Sequence, residues 1–188
     1  MKEIDRRVMM QAGIGLILAR AAAGARASAA SAPGAKTVGT GPGDFDFLAG
    51  EWVISNRRLK DDTSDMWETF EGGATVHRLL GGQASIEELR ANGKFLGLGV
   101  RVWHPEEQMW ADHWTSAANG VVNAPQLGRF IDGAGIFGGE AVDGESERWR
   151  GIWDEITPIS CRWHQQVSRD AGKSWNEQWI MHWTRVGQ

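Results

Sequence analysis

From residue 44 onward the sequence changes character about every ten residues. Runs rich in Trp, Val, Ile, Leu, Phe and Thr alternate with clusters of Gly, Asn, Asp and Pro. None of them sustains the 3.6-residue apolar period that a helix needs. The runs are Trp52–Lys60, Trp67–Gly72, Ala74–Leu80, Ala84–Ala91, Phe95–His104, Met109–Ser116, Gln126–Ile131, Gly135–Val142, Glu147–Ile156, Ser160–Ser168 and Ser174–Val186. Gly72-Gly73 reads as a bulge or sharp bend inside one strand, which leaves about ten strands joined mostly by short hairpins. The one helical turn expected lies at Phe45–Leu48. An open meander of this size carries two raw edges, and closure removes them. The expected fold is therefore all-β, an antiparallel up-and-down barrel over residues 44–188, wide enough to hold a cavity.

The first 32 residues stand apart. Lys2, Arg6 and Arg7 precede an apolar run, Val8 to Ala19, and then an Ala-rich stretch with the small-residue patterns Ala27-Ser28-Ala29 and Ala30-Ser31-Ala32. A charged start, a short apolar middle and a small-residue cleavage pattern describe an export signal. The run falls short of the roughly 20 apolar residues that span a bilayer. Arg6-Arg7 ahead of a weakly apolar run resembles the twin-arginine signal. The competing readings are a disordered tail or a retained membrane anchor. Residues 33–43 read as a flexible linker. The expected location is periplasmic or secreted, with no stable membrane insertion once the signal is removed.

The single cysteine, Cys161, has no partner for an internal disulfide, and its period-two setting between Ile159 and Trp163 suggests a buried, inert thiol. A formal net charge of -4 offers no basic field to nucleic acid. All 11 Trp lie beyond the linker, and there is no Tyr.

The opening Gly50-Glu51-Trp52 resembles the Gly-x-Trp start of the lipocalin or calycin superfamily. That resemblance implies a basic residue late in the last strand covering the Trp ring, and Arg185 is placed to do so. More narrowly, the chain resembles a family of bacterial lipocalin-like proteins of unknown function. The resemblance runs through Phe45 to Trp52, Gly128 to Phe137, Ile156 to Trp163, Ser168 to Trp175 and Trp179 to Arg185. It implies a calycin-like barrel and brings no reaction with it.

The stretch Ser168 to Trp175, Ser-x-Asp-x-Gly-x-x-Trp, is similar to the Asp-box of sialidases. A propeller repeats that box, and this chain has one copy at no propeller period. It reads instead as a hairpin device, in which Asp170 accepts loop N–H groups, Gly172 adopts the turn conformation and Trp175 packs beneath.

Candidate site residues follow from alternation along the strands. Cys161, Trp163 and Val167 share one face, with Arg162, His164 and Gln166 on the other. In the last strand Trp175, Trp179, Met181 and Trp183 oppose Gln178, Ile180 and His182. Period alone leaves open which face is lumen. Asp112, between Trp110 and Trp114, would have its pKa raised by burial unless Arg101 or Arg129 paired with it. Glu87 and Glu88 must split across the two faces. No His pair has strong zinc-ligand spacing, and no phosphate loop or G-x-S-x-G occurs, so no metal or cofactor is expected. Three functions remain. The first is binding of a small, largely apolar, aromatic molecule by Trp110, Trp114, Trp153, Trp163 and Trp179, with Arg101 and Arg129 as polar anchors. The second is acid/base catalysis of isomerase or lyase type by Asp112, His164, His182 and Glu88. The third is haem binding through an axial His.

Overall fold

The computed structural model describes residues 41–61, 65–141 and 146–187. The export segment read over residues 1–32, and the linker as far as residue 40, lie outside them. Ten strands form one closed antiparallel barrel: β1 (Gly50–Leu59), β2 (Trp67–Leu79), β3 (Ala84–Ala91), β4 (Lys94–His104), β5 (Met109–Ser116), β6 (Gln126–Ile131), β7 (Ala134–Gly138), β8 (Arg148–Asp154), β9 (Ser160–Ser168) and β10 (Asn176–Arg185). Each strand pairs with its neighbours in sequence, and β1 pairs with β10 to close the tube. The architecture is the all-β up-and-down barrel that the strand rhythm predicts. No helix among the described residues is long and apolar enough to cross a membrane.

The Gly72-Gly73 pair does hold two runs together as one strand, β2, but without a bulge, because the register to β1 and β3 runs unbroken through it. The reason for glycine there is proximity. A Cβ at Gly72 would meet the Arg90 carbonyl oxygen at 2.7 Å. The register shifts lie elsewhere, between Leu89 and Arg90 of β3 and between Glu177 and Trp179 of β10. The second one corrects the expected face pattern. A one-residue slip at Gln178 sends Trp175 and Glu177 to the outer wall, while Trp179, Met181 and Trp183 stay inside.

One end of the barrel is packed solid. The expected helical turn is a 3₁₀ turn, Asp46–Leu48, which lies across the tube mouth and buries Phe45 and Leu48. Phe45 meets Trp110 and Phe130 edge-on, each with ring centroids 5.0 Å apart. Asp44 accepts the Trp110 indole N–H at 3.1 Å, and the Leu48 carbonyl accepts that of Trp52 at 2.7 Å. Gly43 donates to the Gly82 carbonyl, so the folded unit begins within the stretch read as linker.

Arg185 ties this end to the closing seam. Its guanidinium lies 4.2 Å from the Trp52 ring centroid and donates to the carbonyls of Phe47, Ala49 and Pro158 at 2.6, 2.6 and 2.9 Å. Gly50, at φ +130, leaves room for it, since a Cβ there would sit 2.6 Å from Arg185 Nη1. At the other end, the Ser168-to-Trp175 stretch is the β9–β10 hairpin. Asp170 accepts the Ser174 N–H at 2.8 Å and the Ser168 and Ser174 hydroxyls, which hold its carboxyl down at about 2. Gly172 takes φ +92, and Trp175 packs under Arg150, 4.0 Å from ring centroid to guanidinium. Arg185→Ala strands three carbonyls, so it is expected to cost about 2 kcal/mol in urea denaturation. Arg185→Lys, which cannot fork to all three, should recover less than half of that.

Candidate functional site

Above the aromatic plug the lumen opens into a cavity of about 40 Å³ lined by Glu87, Leu89, Gly99, Arg101, Asp112, Trp114, Trp153, Trp163, Met181 and Trp183. Alternation on adjacent strands places its polar floor. Glu87 of β3 opposes Gly99 of β4, and Arg101 of β4 opposes Asp112 of β5. Gly99 has no side chain to fill the space beside Arg101, where a Cβ would lie 3.2 Å from Nη2. Trp153 and Trp163 are cross-strand partners and form one wall.

The floor is a charge cluster in an apolar tube. Arg101 Nη2 donates to Glu87 Oε2 at 2.5 Å, and each side chain is 4% exposed. Arg101 Nε lies 3.6 Å from Asp112 Oδ1, beyond hydrogen-bond reach. Arg101 Nε and Nη1 have no hydrogen-bond partner among the described residues, nor do the indole N–H groups of Trp153 and Trp183. The guanidinium sits 5.0 Å from the Phe45 ring and 5.3 Å from that of Trp153, so its faces are covered by rings. Burial pushes the Asp112 carboxyl up to about 6, with Glu87 adding to the rise and Arg101 opposing it. Burial also pushes the lumen-facing Cys161 thiol up to about 12, which keeps it protonated and unreactive.

The predicted residues divide by face. Trp114, Trp153, Trp163, Arg101 and Asp112 come together around the cavity. Trp110 and Trp179 also face inward but do not line it. Trp110 belongs to the plug, and Trp179 donates to Asn56 Oδ1 at 3.0 Å and packs against Phe70 in the side wall. Arg129 is exposed on the outer face of β6. Glu88 points outward and pairs with Arg90 at 2.7 Å, so the inner carboxylate of that adjacent pair is Glu87. Leu89, Gly99, Met181 and Trp183 complete the lining without having been singled out in the sequence.

Both candidate histidines lie on the outer wall. His182 is exposed. His164 is only 6% exposed, set between carboxylates, with Nδ1 2.8 Å from Glu177 Oε1 and Nε2 3.3 Å from Asp154 Oδ2. Arg162 forks onto Asp154 at 2.8 and 2.7 Å, and Gln166 donates to Glu177 at 2.6 Å. These bonds hold the Asp154 and Glu177 carboxyls below their ordinary range against the opposing effect of burial. The polar face of β9 and β10 is thus a bonded network on the barrel exterior rather than part of the cavity. His77, His104 and His113 share strand faces with other outward residues, so none of the five histidines offers the lumen an imidazole.

No family model matches the chain, and none of the curated proteins does. Among solved structures, the S-type phycobiliprotein lyase of Guillardia theta is similar at a TM-score of 0.52 and 10% identity, over 77% of this chain and 92% of that one. A protein of unknown function from the DUF3598 family of Nostoc punctiforme is similar at a TM-score of 0.47 and 12% identity, over 78% of this chain. The chain spans about half the length of that protein, 50%. The likeness to the lyase is one of fold, and it fits a calycin-like, lipocalin-like barrel.

Asp112 gives the site a pH signature. A carboxyl raised to about 6 in the folded chain takes its proton earlier than in the unfolded chain, whose ordinary value is 3.8. Stability should therefore rise as pH falls from neutral to about 4, by up to roughly 3 kcal/mol. The lowered Glu177 and Asp154 carboxyls act with the opposite sign as pH falls toward their ordinary values of 4.5 and 3.8, so the rise is read between neutral and about pH 5. Urea denaturation across the window should show the rise in the wild type and lose it in Asp112→Asn.

Proposed function

We propose that the barrel binds a small, largely apolar, aromatic molecule in its upper lumen, one end seated on the Arg101 floor and the body against Trp114, Trp153 and Trp163. One observation carries this reading: a guanidinium only 4% exposed keeps two donor nitrogens without hydrogen-bond partners at the base of a Trp-lined cavity. Buried donors are nearly always satisfied, and exceptions ask for an explanation. A pocket of mostly apolar lining with a few convergent polar groups is the ordinary form of a small-molecule site. The cavity of about 40 Å³ admits only a few heavy atoms, so most of a ligand lies in the mouth above it or displaces a lining side chain. The similarity in fold to a phycobiliprotein lyase supports a ligand-handling barrel without naming the ligand. We further place the chain, on its ordered motif series, with the bacterial lipocalin-like proteins it resembles, and read it as exported to the periplasm or beyond.

A second reading, acid/base catalysis, is favoured by the raised Asp112 carboxyl within the same cavity. It now rests on Asp112 with Glu87 beside it, since His164, His182 and Glu88 face outward. Haem binding through an axial His loses its support, because no imidazole faces the lumen.

Titration with the neutral fluorescent probe N-phenyl-1-naphthylamine tests the binding reading. Saturable, single-site fluorescence enhancement is expected for the wild type. Leu89→Trp, which fills the cavity, should abolish it while the circular dichroism of the barrel persists. Wild-type enhancement that survives Leu89→Trp unchanged would place the binding elsewhere.

A further inference from the structure

We propose that the end of the molecule received by the lumen floor is an uncharged hydrogen-bond acceptor, a ring-borne carbonyl above all. The proposal rests on the binding reading above and adds the chemistry of the buried end.

The floor has donors to spare. Arg101 spends Nη2 on Glu87 and leaves Nε, which has only the longer ion-pair contact to Asp112, and Nη1 without hydrogen-bond partners among the described residues. Trp153 and Trp183, whose rings pack at 5.3 Å, leave both indole N–H groups without partners. Three buried side chains that line one cavity thus carry four donor nitrogens without a hydrogen-bond partner among the described residues. Arginine and tryptophan have no side-chain acceptor to trade among themselves, and Asp112 Oδ1 stands 3.6 Å from Nε, outside hydrogen-bond reach, so an entering acceptor can match these donors. A carbonyl oxygen, with two lone pairs and no proton, can take two such donors at once.

Charge excludes the obvious alternative. A carboxylate ligand would also accept these bonds, but Glu87 and Asp112 already set two carboxylates against the one guanidinium. A third negative charge in a low-dielectric tube is repelled at short range. An amine would suit that charge balance but brings only donors, and a plain hydrocarbon brings nothing, so both leave the four N–H groups unmatched. A site built around donors rejects a ligand lacking the acceptor more strongly than an apolar pocket rejects a missing methylene.

Four compounds of one shape separate these cases: acetophenone, ethylbenzene, benzoate and 1-phenylethylamine, titrated calorimetrically into the full chain at neutral pH. Acetophenone is expected to bind about tenfold or more tightly than each of the others. The double variant Trp153→Phe, Trp183→Phe keeps an aromatic ring at each position and removes both indole donors. Whatever the wider lining does to both affinities, the ratio of acetophenone to ethylbenzene affinity should fall most of the way to one. Ethylbenzene matching acetophenone would overturn the inference and leave the binding reading standing. Benzoate or the amine binding tightest would overturn it in favour of a charge-selective floor. Failure of all four to bind, together with failure of the naphthylamine titration, would remove the binding reading as well.

Discussion

The pairing of β1 with β10 is the constraint from which the rest of the molecule follows. Seven residue pairs, from Trp52 opposite Arg185 to Arg58 opposite Trp179, turn a ten-strand meander into a tube with no exposed edge. Arg185 fixes that seam at its lower end by joining the ring of Trp52, the carbonyls that enter β1 and the loop before β9. Without closure, the inward faces of β3, β4, β5, β8, β9 and β10 would not converge, and neither the aromatic plug nor the polar floor above it would have a second side.

The tube is not uniform along its axis. Its plugged end is a ring-packed core that serves as the hydrophobic centre of the domain. Directly above it the packing gives way to Glu87, Arg101 and Asp112. A buried ion pair seldom adds net stability over well-packed apolar side chains of equal volume. Its physical consequence here is local polarity: donors held at the base of an apolar tube, with a carboxyl whose proton affinity the surroundings have raised. That contrast distinguishes the cavity from a plain apolar packing gap.

The fold was legible because strand rhythm and turn residues act locally. The expected strands overlap all ten observed ones, and the cation–π pair of Arg185 with Trp52 is the one that the resemblance of the Gly-x-Trp opening implies. Side-chain direction was harder to read. In β3 the inward set Ser85, Glu87, Leu89 and Ala91 and the outward set Ile86, Glu88 and Arg90 each mix apolar and polar residues, so alternation does not reveal that Glu87 is the buried carboxylate. Gly97 and Gly99 on the facing strand carried a usable signal, since inward glycines mark where neighbours such as Trp114 and Arg101 need room. The bulge at Gln178 defeats period-two counting outright, because the residues on either side of it keep their local pattern while exchanging faces. His164 and His182 followed the polar stripe correctly, but the wall on which that stripe lies depends on closure, which is a long-range fact.

Whether the lumen receives a small aromatic molecule is read from the indole N–H signals of the 11 tryptophans in a ¹H–¹⁵N spectrum recorded with and without acetophenone. The lumen signals of Trp153, Trp163 and Trp183 should shift together and saturate, while those of Trp67 and Trp175, stacked under Arg57 and Arg150 on the outer wall, stay in place. Shifts confined to the outer-wall tryptophans, or no saturable shift at all, would contradict it.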